Sequence, residues 1–297
     1  MRFNLMLSSL VLALGMTSIT VQAKEPNALN RAISSKTTNV QEIRNATVKI
    51  TYANTTFLVD PMLAKKGTYP GFEGTYRSNL RNPMIELPMS TDEVLKNVDA
   101  IIITHTHLDH WDDVAQKLIP KDLPVFVQNT ADAKLVRSQG FKNVTVLNGS
   151  TVFEGITINK IGGQHGTNEM YKIPQMGETL GDIMGVVFQA PGHKTIYIAG
   201  DTIWRPEVDQ TLQQFKPDII VLNTGNALVN QFKESIIMGK EDTYHAYKVA
   251  PNAKIIAVHM DAINHTALSR KELREYIKVK GIGDRVYVPN DGQILSF

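Results

Sequence analysis

Ala100-Ile101-Ile102-Ile103-Thr104-His105-Thr106-His107-Leu108-Asp109-His110-Trp111-Asp112-Asp113 is the stretch from which the rest of the chain can be read. Its first part is a short β-branched run bounded by polar residues, the pattern of a buried strand. The polar part falls where that strand ends and the chain turns, with a helix starting near Asp112. Side chains two apart on an extended backbone project to one side, so His105 and His107 face a common point. As the backbone turns, Asp109 and His110 come to face a second point nearby. Three imidazoles and one carboxylate in six residues are ligands for zinc or a similar divalent ion, and their spacing suits two ions better than one. A lone histidine at a strand end is ordinarily a polar surface residue; this cluster is not one.

Other strand ends repeat the arrangement. Asn159–Gly163 leads to His165, Ile196–Gly200 ends at Asp201 and Ile255–Val258 ends at His259. Each apolar strand delivers a metal-capable side chain at its C-terminal edge, where loops gather sites on a rigid scaffold. His193, in the Pro191-Gly192 turn, and His245, beside Tyr244 in a helix, read instead as solvent or packing histidines.

The remaining pattern is alternating strands and helices. Thr47–Tyr52 and Phe57–Val59 form a hairpin turning at Ala53-Asn54, and Pro61 ends its second strand with Asp60 at the tip. Residues 62–90 hold Gly67, Gly71, Gly74, Pro70, Pro83 and Pro88 among aromatics. Such a stretch is either a lid or binding loop, or a surface loop packed by its own rings. Capping-box spacing at Ser90–Glu93 and Ser269–Glu272 opens two helices, and Thr130 is expected to cap another. A loop is expected from Gly162 to Gly181. Residues 24–44 are polar and give no assignment. Without a linker, residues 24–297 read as one domain of two stacked sheets with helices outside.

Of the 297 residues, 42% are hydrophobic and 20% charged, enough for a sizeable core. The net charge of +2 carries no electrostatic footprint for nucleic acid. At the N-terminus, Arg2, the apolar run Leu5–Leu14 and Val21-Gln22-Ala23 have the layout of a signal peptide over residues 1–23. That predicts a periplasmic protein with no membrane association after cleavage, in keeping with the absence of cysteine.

His-x-His-x-Asp-His after a strand, a lone His, a Gly-Asp and a strand-end His together resemble the metallo-β-lactamase superfamily. The resemblance runs from Asp60-Pro61 to the C-terminus. It implies an α/β fold, a four-layer αβ/βα sandwich with a dinuclear site at the edge between the sheets. It further implies that His105, His107 and His165 hold one ion, that Asp109, His110 and His259 hold the other, and that Asp201 bridges them. Asp60 matches the acidic residue of the family's first motif and would orient a ligand. The cofactors implied are two divalent ions, zinc first, with manganese or iron also compatible with His and Asp ligands. With no cysteine and with a bridging carboxylate, the chain departs from true β-lactamases. His107 stands where oxygen-reducing di-iron members carry an acidic residue. Gly200-Asp201-Thr202, Met238–Asp242 and Ala257-Val258-His259 resemble the ascorbate-phosphate lactonase-like branch.

A metal-dependent hydrolase of a small-molecule ester-like substrate, with a lactone as the first expectation, is the function these residues imply. A phosphodiesterase is the alternative, and a non-catalytic metal-binding protein a third. Asp109 and Asp201 could accept and return a proton. His265 could contact substrate or donate to a developing oxyanion, or be a plain loop histidine. Asn223 and Asn226 are weaker candidates.

Overall fold

Each central strand sends alternate side chains into two different apolar layers, and this determines the architecture of the chain. The structure is a computed structural model that describes residues 36–297, which form one compact unit. The segment 1–23, expected to be a signal peptide, lies outside the described residues.

Two seven-stranded sheets stack face to face. One contains β1 (Asn39–Arg44), β2 (Thr47–Tyr52), β3 (Thr55–Val59), β4 (Ala100–Ile103), β5 (Val125–Val127) and β6 (Val144–Val146), with β14 (Ile294–Ser296) beside β1. The other contains β7 (Ser150–Phe153), β8 (Ile156–Gly162), β9 (Met184–Gln189), β10 (Ile196–Ile198), β11 (Ile219–Asn223), β12 (Lys254–Val258) and β13 (Val286–Tyr287), in that order. In β4, Ala100 and Ile102 enter the core between the sheets, while Ile101 and Ile103 pack under the helices outside. β11 divides in the same way, Ile219 and Val221 inward, Ile220 and Leu222 outward. Strands covered on both faces read as continuous apolar runs, and these pair in parallel with their neighbours. Each fully buried Ile or Val contributes roughly 1.5–3 kcal/mol relative to exposure. Phe57 and Phe188, from opposite sheets, meet with ring centroids 4.8 Å apart.

Helices Thr91–Leu95, Asp113–Leu118 and Thr130–Ser138 cover the first sheet, and Pro206–Phe215, Lys240–Val249 and Arg270–Lys280 cover the second. The result is the four-layer αβ/βα sandwich expected. Ser90 and Ser269 cap their helices as their spacing predicts. The helix expected to be capped by Thr130 is capped instead by Asn129, whose side chain accepts from the Asp132 amide.

Two segments differ from expectation. Residues 39–44, polar in composition, form β1, because their charged side chains are used inside the protein. The fully buried Arg44 donates to the carbonyls of Met62 at 2.9 Å, Ala64 at 2.8 Å and Ile85 at 3.1 Å. The loop expected before Gly181 contains two short helices, Asn168–Tyr171 and Pro174–Leu180. Pro174 stands at a helix start, where its missing N–H costs nothing, and Gly177 disguises the remainder.

A candidate metal centre at the sheet edge

Five strands end at one place. β3 delivers Asp60, β4 leads to His105, β8 to His165, β10 to Asp201 and β12 to His259. Gly200 turns the chain into Asp201 at φ +69°, where a Cβ would lie 2.6 Å from the Met184 carbonyl. Asp60 and His259 themselves sit at φ +47° and +65°, a left-handed conformation that non-glycine residues hold only when their surroundings enforce it.

All seven proposed ligands come together. His105, His107 and His165 form one cluster, and Asp109, His110, Asp201 and His259 form another, with donor atoms in each within 4.8 Å of one another. Asp201 Oδ2 lies 3.0 Å from His110 Nε2, 3.4 Å from His259 Nε2 and 3.7 Å from His165 Nε2, so one oxygen reaches both clusters. Asp109 Oδ2 is 3.4 Å from His259 Nε2.

The opposite sides of the rings are anchored. His110 Nδ1 lies 2.9 Å from Asp60 Oδ2, and Asp60 in turn accepts from the Thr104 amide and hydroxyl, both at 2.7 Å. His165 Nδ1 donates to the Ile236 carbonyl at 2.8 Å, His107 Nε2 to the Thr179 carbonyl at 2.9 Å, and His105 Nδ1 is 3.1 Å from Thr104 Oγ1. Such contacts fix ring orientation and tautomer in metal sites.

Burial alone would raise Asp201 and Asp109, but the neighbouring His110 and His259 hold both well below the usual carboxylate range. Burial opposes the charge on His110 and His259, yet Asp201 and Asp109 overcome it, raising His110 well above its ordinary value and His259 to about 9. His105 and His165 are neutral: burial pushes His105 far down and His165 to about 4. Buried His105 Nε2 and Asp109 Oδ2 have no hydrogen-bond partner. Buried polar atoms are rarely left so, and these donors converge as a divalent ion requires. The residues fit a metal, and an ion would replace the protons on His110 and His259.

Over the clusters lies a cavity of about 630 Å³, lined by His107, Asp109, His165 and His265 at its base and by Phe72, Leu108, Ile173, Met176, Leu180, Val229 and Ile236 on its sides. Among the described residues lining it, none is Lys or Arg. His265 is buried, packs edge-on against Phe72 with centroids 5.1 Å apart, and is pushed by burial to about 4. Residues 62–90 line this cavity through Phe72, Glu73, Gly74 and Thr75.

His193 and His245 lie away from the clusters, His193 against Tyr52 and His245 against Trp204. Asn223 donates to Asp201 Oδ1 at 2.6 Å, whereas Asn226 lies beside Gly239 and away from the cavity. Asn45, which the sequence reading did not single out, donates from its side chain to the Asp109 carbonyl at 3.0 Å and accepts the His259 amide at 2.8 Å. It sits at φ +64° in the turn between β1 and β2, a conformation Asn favours, and the Asn itself is the one clue the sequence carries.

Comparison with known proteins places this geometry. The profile of the Beta-lactamase superfamily domain matches residues 55–260. The chain is 49% identical over 261 residues to UPF0173 protein YddR of Bacillus subtilis, covering 87% of this chain and all of the relative. The crystal structure of a possible metal-dependent hydrolase from Veillonella parvula is similar at 53% identity and a TM-score of 0.86, covering 87% of this chain and 98% of that one. That of an isothiocyanate hydrolase from Delia radicum gut bacteria is similar at 50% identity and a TM-score of 0.85, covering 87% and 99%.

Proposed function

The chain is a metal-dependent hydrolase of the metallo-β-lactamase superfamily, and from that premise we propose that it hydrolyses a small, neutral, apolar-tailed electrophile, an isothiocyanate. The observation that carries this reading is the cavity: mostly apolar on its sides, with Glu73, Gln175 and Gln231 among the polar exceptions, without Lys or Arg, and opening onto the two ligand clusters. A phosphodiester would bring an anion to walls with no cation to meet it, which disfavours the phosphodiesterase alternative. An uncharged substrate faces no such cost. The similarity to an isothiocyanate hydrolase at 50% identity favours that class among neutral electrophiles. A lactone, also neutral, is the second reading, since it too brings no anion to walls without Lys or Arg.

His105, His107 and His165 would hold one ion and Asp109, His110 and His259 the other, with Asp201 between them; zinc is the expected metal. Two such ions supply a Lewis acid and a water acidic enough to attack near neutral pH. The protein's own groups do the rest. Asn223 and Asp60 fix Asp201 and His110, so the ligands need no rearrangement. The apolar sides hold the substituent and exclude bulk water. Asp109, at the base of the cavity, takes the proton released when water oxygen bonds to the central carbon of the N=C=S group and passes it to the substrate nitrogen. His265, kept neutral by burial, is placed to donate an N–H to the substrate nitrogen. The thiocarbamic acid formed passes its acidic proton to nitrogen as its C–N bond breaks, leaving an amine and carbonyl sulfide, so water and isothiocyanate are fully accounted for. Export to the periplasm, read from residues 1–23, is part of the proposal; fractionation of expressing cells tests it.

The test is turnover by the zinc-loaded protein on phenethyl isothiocyanate, a γ-lactone and an aryl phosphodiester, each with and without chelator. Chelator-sensitive release of phenethylamine is expected. Lactone opening with no amine release would replace the isothiocyanate reading with the second one. Phosphodiester cleavage alone would overturn the argument from cavity charge.

A further inference from the structure

We infer that the helix Pro174–Leu180 positions His107 as well as walling the cavity, so that packing of the substrate's substituent and retention of the ion at the His105–His107–His165 cluster are coupled. The inference rests on the proposed function only in assuming divalent ions at the clusters.

His107 differs from His105 and His110 in how it is held. His105 and His110 are anchored by Thr104 and Asp60, buried residues at strand ends. His107, the half-buried member of its cluster, is anchored by the Thr179 carbonyl in the last turn of a seven-residue helix. Last-turn carbonyls have no partner within their own helix, and the helix end carries partial negative charge, so that oxygen suits an imidazole N–H. With Nε2 so committed, Nδ1 is the nitrogen left to the cluster. The same helix presents Met176 and Leu180 to the cavity, and Ile173 lines it just ahead of the first turn. The helix is held by a small apolar cluster that Leu180 enters and Met176 packs against, with Met170, Val229 and Ile236 among its members, and Tyr171 Oη donates to the Gly181 carbonyl at 2.7 Å. Ile173, at the N-cap, offers no side-chain acceptor. A substituent seated against Met176 therefore steadies the helix whose far end orients His107. Such coupling is reciprocal.

Zinc binding, not turnover, reads this out. Gly181 ends the helix at φ +60° and ψ −163°, a conformation an L-residue adopts only under strain, and it touches no ligand. In calorimetric titration of the metal-free protein, Gly181→Ala should weaken one of two zinc-binding steps by roughly tenfold, the lower end of the range for loss of a ligand's anchor. The other step should be unchanged. In wild-type protein, saturating ethylbenzene, which cannot ligate a metal, should slow transfer of one zinc ion to a chelator. That arm needs no variant, so a Gly181→Ala protein that fails to fold leaves the coupling tested. Wild-type zinc transfer unaffected by ethylbenzene would overturn the coupling. Equal weakening of both steps in a folded Gly181→Ala would reduce the helix to a structural part. Zinc effects as expected but no isothiocyanate turnover would sink the proposed substrate and leave this inference standing.

Discussion

The two walls of the cavity are built by opposite means. The wall from residues 62–90 is pinned by buried polar side chains. Arg44 binds three carbonyls near its two roots. In the middle, the fully buried Asn264 accepts from the Phe72 amide at 3.0 Å and Asn82 Nδ2 at 2.8 Å, and donates to Thr75 Oγ1 at 2.9 Å and the Tyr76 carbonyl at 2.7 Å. Arg77 closes the arrangement on the Asn264 and Thr266 carbonyls. The other wall, residues 168–180, consists of helices of four and seven residues. Helices so short are unstable alone and depend here on Leu180, Met170 and a few hydrogen bonds. A saturated polar network specifies one geometry, because each broken bond strands a buried partner. A small apolar contact tolerates displacement. The pinned wall therefore fixes Phe72 and His265, and adjustment to the substrate falls on the helices.

The sharpest way to break this comparison is Asn264→Ala. It strands several buried groups and should lower unfolding free energy by about 4 kcal/mol in urea denaturation; a loss below about 1 kcal/mol would show that the network does not fix the wall. Leu180→Ala should cost about 2 kcal/mol, the low end for a buried leucine because the site adjoins a cavity into which it can relax. Phe72→Ala and Met176→Ala should each reduce kcat/KM on phenethyl isothiocyanate by about tenfold. If the walls differ as described, hydrogen exchange will also find amides of 168–180 opening more readily than those of 69–84; equal protection would erase the distinction.

The smallest effect is on pH dependence. His265 is pushed from 6.5 to about 4 in the folded protein. Between those values the unfolded chain binds the extra proton and the folded one does not, so stability is present above about 6.5 and lost as pH falls toward 4. The loss should be roughly 1 kcal/mol by pH 6. His265→Gln should flatten that part of the stability curve, and an unchanged curve would mean the imidazole is not desolvated.

Much of the candidate centre was legible because its ligands are local in the chain or mark strand ends. His105, His107, Asp109 and His110 follow one apolar run, and His165, Asp201 and His259 each follow another. Apolar periodicity is a property of short segments, and so is the projection of ligands where a strand stops. The sandwich was legible for the same reason: runs apolar at every position need cover on both faces. β1 was not, because Glu42 and Arg44 look like surface residues until their partners Arg270, Met62 and Ala64 are known.

The chain's linear order decided which side chains could bind a metal and that they would stand at strand ends, since both follow from short-range pattern. Only the folded protein decided what holds them and what covers them. The Thr179 and Ile236 carbonyls that orient His107 and His165 are backbone atoms, which every residue carries and none advertises. Asn264 meets Asn82 across 182 residues of sequence, a contact that no window along the chain contains. The cavity belongs wholly to that second class, because its apolar sides converge from four separated segments once the sheets have stacked.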